Sequence, residues 1–324
     1  MRAAISFAVA AAALLASASL THSQNSDAYP NRPVRVIVPF GAGGPGDLIA
    51  RMLALKLTES LGKPFYVENH PGAGGNIGTG LAARAPADGY TLVVISTTFV
   101  INASLYPKIP YDPIKDFDPV TIAVTSPNIV VVHPSVPARD VTQLIALVRA
   151  GKFQTFATPG VGTPAHMAGE LFKQTLHLDF TAIPFGGGGP AIQSVIAGHT
   201  PIGFSALPPA MPQLKDGGLR ALAVTSPARA SLLPDVPTLG EAGIPDQNVD
   251  SPQGVLVPAG TPRPIIDLLY REIARIVVLP DMRSRFAAVG FEAVAITPEE
   301  YAARIRAELP KWAKVVRDAE IKPE

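Results

Sequence analysis

Residues 36–47 read VIVPFGAGGPGD, and residues 182–192 read AIPFGGGGPAI. Both run apolar residue, Pro, Phe, a glycine run, Pro, then a helix-like stretch. The first turn of a helix leaves its N–H groups unpaired and carries positive partial charge, so a glycine loop that opens a helix is a ready anion site. Pro45 and Pro190 stand where a helix takes its first residue, a place where proline loses nothing by lacking an N–H. Either loop alone also reads as an ordinary strand-to-helix turn, where glycine serves the bend. Two of them, one in each half of an exported chain, predict two lobes closing on one acidic ligand.

Other spacings lead elsewhere. Gly41, Gly43 and Gly46 spell G-x-G-x-x-G after an expected strand, with Glu68 22 residues beyond Gly46, the outline of a dinucleotide-binding fingerprint. Pro39-Phe40 interrupts the strand that should lead into that turn, and an exported chain meets no nucleotide pool, so no cofactor is expected. Asp47 falls in a first helical turn, where an acid pairs with free N–H groups. PGAGGN at 71–76 is a further glycine loop, with Asn76 a candidate helix cap. In ATPGVGTPAHMAGELF, residues 157–172, Thr158, Gly160 and Gly162 make a flexible turn. Thr163 is a good N-cap, Pro164 a good first residue, and His166 sits one turn in, able to meet a carboxylate or only its own loop. Ser96, Thr97, Thr98 and Ser205 place hydroxyls where parallel strands end, the side on which α/β sheets bind ligands. No nucleophile elbow and no H-E-x-x-H is present, no His/carboxylate spacing marks a catalytic set, and the chain has no cysteine. Catalytic residues and metal ligands are therefore not assigned, and a binder is the better reading than an enzyme.

These loops need a scaffold. Short apolar runs at 34–38, 64–67, 91–95, 129–133, 155–158, 180–183, 201–204, 220–224, 254–257 and 291–296 read as strands. They alternate with helical patterns at 46–61, 76–85, 139–150, 164–176, 190–197, 208–216, 264–278, 281–289 and 298–318. Such alternation predicts an α/β fold of mainly parallel sheets flanked by helices. The proline- and aspartate-rich stretch 106–119 reads as a surface connection, and 226–253 as a second irregular one. Lobe 1 is expected at 26–128 plus 253–324 and lobe 2 at 129–252. The last helix is the clearest. Thr297, Pro298 and Glu300 form a capping box, and Tyr301, Ile305, Leu309, Trp312 and Val316 mark one apolar face; Pro310 should kink it.

The chain has 324 residues, 47% of them hydrophobic, enough to bury a large core without disulfides. Arg2, the apolar run Ile5–Leu15 and Ala16-Ser17-Ala18 read as a secretory signal peptide over residues 1–23, which places the protein in a bacterial periplasm. Its removal takes away one cation and leaves 26 residues of each sign. With no basic block, nucleic acid is not an expected partner.

The chain resembles the extracytoplasmic solute-binding receptors of tripartite tricarboxylate transporters, the Bug family. The resemblance runs through YPNRPVRVIVPFGAGGPGD, VENHPGAGGNIG, ADGYTL, NASLYPKIPYDPIKDFDPV, GTPAHMAGELF, LRALAVTS, LLPDVPTLGEAGIP, VPAGTP and TPEEYAARIRAELPKWAKVV. It implies a two-lobed periplasmic-binding-protein fold of the Venus flytrap, type II-like kind, with the ligand in the interlobe cleft. It also implies a small carboxylate or dicarboxylate ligand and delivery to membrane permease subunits by a receptor expected to be a monomer. Carried over by position, Phe40, Ala42, Gly43, Gly44, Gly46 and Asp47 imply carboxylate binding through backbone N–H groups. Ser96, Thr97, Thr98, Thr158, Gly160, Gly162, Thr163, His166, Phe185, Gly186, Ser205 and Ala206 imply the rest of the cleft. Gly46 stands where the family commonly has Thr or Ser, Phe185-Gly186 replaces a frequent Tyr-Lys, and Ser205-Ala206 lacks a common Asp. The missing acid disfavours an amino-acid ligand and leaves room for an apolar or aromatic carboxylate. An exported hydrolase on the same scaffold, or a sensory receptor docking on a sensor kinase, are the alternatives.

Overall fold

Where β-branched residues crowd together the chain forms short strands. In order these are β1 (Val34–Val38), β2 (Phe65–Asn69), β3 (Thr91–Ile95), β4 (Phe117–Thr125), β5 (Asn128–Val132), β6 (Thr155–Thr158), β7 (Thr181–Pro184), β8 (Ile202–Ala206), β9 (Arg220–Val224), β10 (Gln253–Pro258) and β11 (Glu292–Ala293). Between them lie α1 (Pro45–Leu61), α2 (Asn76–Ala83), α3 (Thr98–Leu105), α4 (Val141–Arg149), α5 (Pro164–Leu176), α6 (Gly188–Ile196), α7 (Leu207–Lys215), α8 (Arg263–Val277), α9 (Pro280–Val289) and α10 (Pro298–Asp318). The computed structural model describes residues 29–323, and its main compact unit begins at Arg32. The leader expected at 1–23 lies outside the described residues.

The strands form two sheets, β11-β4-β10-β3-β1-β2 and β7-β6-β8-β5-β9. Every residue of β3 and β5 is buried, as required when layers cover both faces of a sheet. Parallel pairing holds among β2, β1 and β3 and among β7, β6 and β8. It does not hold throughout, and the expectation of mainly parallel sheets is corrected there. β10 runs antiparallel to β3 and β4, and β5 antiparallel to β8 and β9. Each enters its sheet from the other lobe without a crossover helix to turn it round.

Strand for strand, β2-β1-β3-β10-β4 repeats as β7-β6-β8-β5-β9. The loop after β1 therefore corresponds to the loop after β6, and the loop after β2 to the loop after β7. The two look-alike loops at 39–45 and 184–190 are not equivalents: one follows β1 and the other follows β7, the counterpart of β2.

Local chemistry sets the helix ends. Thr163 caps α5 by accepting from the N–H of His166, and the Thr297–Glu300 capping box opens α10. That helix continues through Pro310 as one element. It buries Tyr301, Ile305, Trp312 and Val316, and packs on β4 and α3. Three expectations need correction. Residues 117–125 form β4, the longest strand, where the surface connection was expected to run to 119. Residues 98–105 form α3, and only Glu292–Ala293 of the run 291–296 pairs as strand.

Candidate ligand-binding cleft

The lobes meet over a cavity of about 50 Å³ at the C-terminal ends of β1, β3, β6 and β8. Three helices open on it. Gly44, Pro45, Gly46 and Asp47 of α1, Thr163, Pro164 and Ala165 of α5, and Gly187 and Gly188 of α6 all line it. Ala206, the residue before α7, and Ser96, just before α3, complete this rim. In α1 the N–H of Leu48 is met by the Gly44 carbonyl at 3.0 Å; the N–H groups before it belong to the unpaired first turn. No lysine or arginine lines the cavity, and Asp47 is the ionisable side chain that does. The positive potential facing the cleft therefore comes from backbone dipoles.

The glycine loops touch across the lobes. A methyl carbon added at Gly41 would lie 3.0 Å from the carbonyl oxygen of Gly186, and one at Gly44 3.8 Å from the nitrogen of Gly188. At Gly41 a side chain would crowd the facing backbone, whereas at Gly44 a methyl group would sit in ordinary contact.

Asp47 braces its own loop. Its carboxylate accepts from the N–H of Gly43 at 3.0 Å, from Arg51 Nε at 3.1 Å and from Asn69 Nδ2 at 3.0 Å. Burial pushes its pKa up, and the bonds from Arg51, Gly43 and Asn69 outweigh that, leaving it below the usual carboxylate range. Asn69 also donates to the Phe40 carbonyl at 3.0 Å. The Gly43 N–H is thus committed to Asp47, and Gly43 and Ala42 lie exposed outside the cavity.

His166 has the same bracing role in the other lobe. Its Nδ1 accepts from the N–H of Gly162 at 3.3 Å, so the ring proton sits on Nε2. Burial, helped by the Lys173 charge, lowers its pKa to about 4, and the ring is neutral at neutral pH. Thr158, Gly160 and Gly162 support this loop behind Thr163 and do not line the cavity. Thr97 and Thr98 begin α3, with the Thr98 hydroxyl 2.8 Å from that of Ser96. Ser205 turns its hydroxyl to the Ala206 carbonyl, Phe185 packs against the second lobe's apolar cluster, and Asn76 accepts from Asn102 and Tyr111 instead of capping α2.

Of the residues expected at the site, Phe40, Gly44, Gly46, Asp47, Ser96, Thr163 and Ala206 line the cavity. Sequence reasoning missed its floor: Asn128, Ser251 and Gln253, all at least 96% buried. They stand where the chain crosses between lobes, and Ser126 and Ser251 exchange backbone hydrogen bonds there at 2.8 and 3.3 Å. A polar residue at the start of a strongly apolar run, as in Asn128 before IVVV, was the available signal. Among the described residues no cluster of three or more His, Cys, Asp or Glu could hold a metal, and no helix is long and apolar enough to cross a membrane.

Residues 49–321 match the family described as the tripartite tricarboxylate transporter family receptor. The chain is 36% identical over 307 residues to protein BugT of Bordetella pertussis, covering 94% of each. It is 32% identical to Rpa4515 of R. palustris, solved with adipate, with a TM-score of 0.88 over 91% of this chain and all of that one. MatC of Rhodopseudomonas palustris, solved with bound malate, is 32% identical with a TM-score of 0.84, over 89% of this chain and all of that one. The two-lobed α/β architecture is that of periplasmic binding proteins. With paired sheets and an interlobe cleft ringed by helix N-termini, the chain belongs to the solute-binding receptors of the tripartite tricarboxylate transporter family.

Proposed function

We propose that this chain captures a small organic carboxylate or dicarboxylate, aromatic acids included, in its interlobe cleft and delivers it to membrane permease subunits. The observation that carries the reading is the convergence of the α1, α5 and α6 N-termini on one cavity lined by no lysine or arginine. Main-chain N–H groups take the carboxylate, and closure of the lobes strengthens those bonds by excluding water. The adipate and malate found in the two related structures are acids of this class. Phe40, Val94, Ile95, Pro159 and Pro164 give the cavity apolar walls for the ligand's carbon skeleton. The lobes divide at 126–128 and 250–253, and the N-terminal leader sends the chain to the periplasm.

The test is thermal shift on chain that has been unfolded and refolded to strip bound solute, against mono-, di- and tricarboxylates, aromatic acids, amino acids and the matching neutral amides. A ligand that binds only the native state raises the melting temperature as ln(1 + [L]/Kd). Shifts with acids and none with their amides are expected. Equal shifts with neutral analogues, or none with any acid, would overturn the reading.

A further inference from the structure

Asn128 opens β5 at the crossing between the lobes, is fully buried and lines the cavity. Its two oxygens and its side-chain nitrogen can be followed in turn. The backbone carbonyl accepts from the N–H of Thr225 at 2.9 Å and its hydroxyl at 3.2 Å. Nδ2 donates to the Val249 carbonyl at 2.8 Å. Oδ1 has no hydrogen-bond partner. Turning the amide over would set Oδ1 against the Val249 carbonyl, oxygen to oxygen, so Val249 fixes which way round it lies. Oδ1 is therefore the acceptor that Asn128 leaves unpaired in a residue lining the cleft, and it can only accept.

We infer that Asn128 selects organic acids carrying a hydroxyl group over the same acids without one. The inference rests on the carboxylate-receptor reading and names its substrate class. A buried acceptor with no donor is costly, and a ligand hydroxyl supplies the missing proton. An ionised carboxylate oxygen at the same spot would repel Oδ1, so the anionic group belongs at the helix N-termini and the hydroxyl at the floor. An ammonium group also donates, but the cleft gives it no carboxylate: Asp47 is the acid at the cavity, and it is already paired with Arg51 at 2.9 Å. Sites built to bond a ligand hydroxyl reject the analogue lacking it more strongly than apolar sites reject a change of one carbon.

The experiment is titration calorimetry on refolded full chain with three pairs: lactate and propionate, malate and succinate, mandelate and phenylacetate. The O-methyl ether of each hydroxy acid is included, since it keeps the oxygen and loses the proton. In whichever pairs bind, the hydroxy acid should bind about tenfold tighter or more than both partners. Asn128→Leu should bring the members of a pair within about twofold of each other. If that variant fails to fold by circular dichroism, Asn128→Ser is measured in its place. Equal binding within the pairs by the unaltered chain overturns the inference and leaves the receptor reading standing. So does a hydroxyl preference that survives both substitutions. Failure of all nine acids overturns the inference alone if another acid of the thermal-shift screen binds, and overturns both if none does.

Discussion

Gly41→Ala is the sharpest probe of how this cleft works. The added methyl carbon would lie 3.0 Å from the Gly186 carbonyl oxygen, which belongs to the other lobe. An ordinary carbon contact needs about 3.5 Å or more, so the loops must part by several tenths of an ångström. Both partners are backbone, and neither can swing aside like the end of a long side chain. Overpacking of this kind costs about 1–3 kcal/mol, and here the cost falls on the closed arrangement alone. Gly41 is not left-handed, so alanine is acceptable to the loop itself when the lobes are apart. The expected result is a loss of about 5- to 150-fold in affinity for the best acid from the screen. The melting temperature of the stripped protein should stay close to that of the parent. Gly43→Ala is the contrast. Its φ of +81° disfavours alanine, but an added methyl group meets nothing within 4 Å. It should lower stability by about 1–2 kcal/mol and leave closure alone. Calorimetry and thermal melts on both variants decide the matter. Undiminished affinity in Gly41→Ala would show that the two glycine loops do not meet in the ligand-bound protein, and the closure argument would fall.

His166 makes the fold acid-sensitive. Its pKa near 4 lies below the unfolded value of 6.5, so between those pH values the unfolded chain holds more protons than the folded one. Its contribution to stability is full above about pH 6.5 and falls by about 3 kcal/mol as pH drops to about 4. His166→Asn, which can still accept from Gly162, should flatten that part of a stability–pH curve measured by urea unfolding, and an unchanged slope would refute the assignment. Asp47→Asn removes the charge that pairs with Arg51 while keeping one acceptor for Gly43. It should weaken acid binding severalfold by loosening the first loop, and proteolysis within 40–47 should quicken; a variant equal to the parent in both would show that the brace is not needed. Gly254→Ala would drive a methyl group into the Tyr301 ring and hydroxyl. The cost should be about 1–3 kcal/mol, read as a fall of several degrees in melting temperature with ligand preference unchanged.

How much of this was legible in the sequence depends on how local the cause is. The caps at Thr163 and Thr297 and the stripe Tyr301–Ile305–Trp312–Val316 are settled within a few residues, and both helices lie where the pattern puts them. The glycine loops were legible as helix openings and as close neighbours. Their topological inequivalence was not, because strand order is a property of the sheet. β4 was partly hidden by Asp118 and Pro119, which read as loop yet sit in a strand flanked by antiparallel partners. α3 escaped because Ser96, Thr97 and Thr98 drew attention first as hydroxyl groups at the end of a strand. The cleft floor was least legible of all. Asn128 and Gln253 are far apart in the chain and come together only because it crosses between the lobes twice. Asn69, which ties the first loop through Asp47 and Phe40, lies beyond the strand expected at 64–67 and drew no reading of its own.

The same double crossing sets an order of assembly. All five strands of the second sheet lie in one unbroken stretch, from Asn128 to Val224. In the first sheet, β10 stands between β3 and β4, and its residues are 253–258. A chain delivered N-terminus first can therefore finish the second sheet while the first still has a gap at its centre, with β3 showing one unpaired edge and β4 two, since β11 also comes later. Although its strands are made earlier, the lobe that begins the chain is completed last. The open edges of β3 and β4 are where a chaperone or a misdirected strand would engage the growing polypeptide.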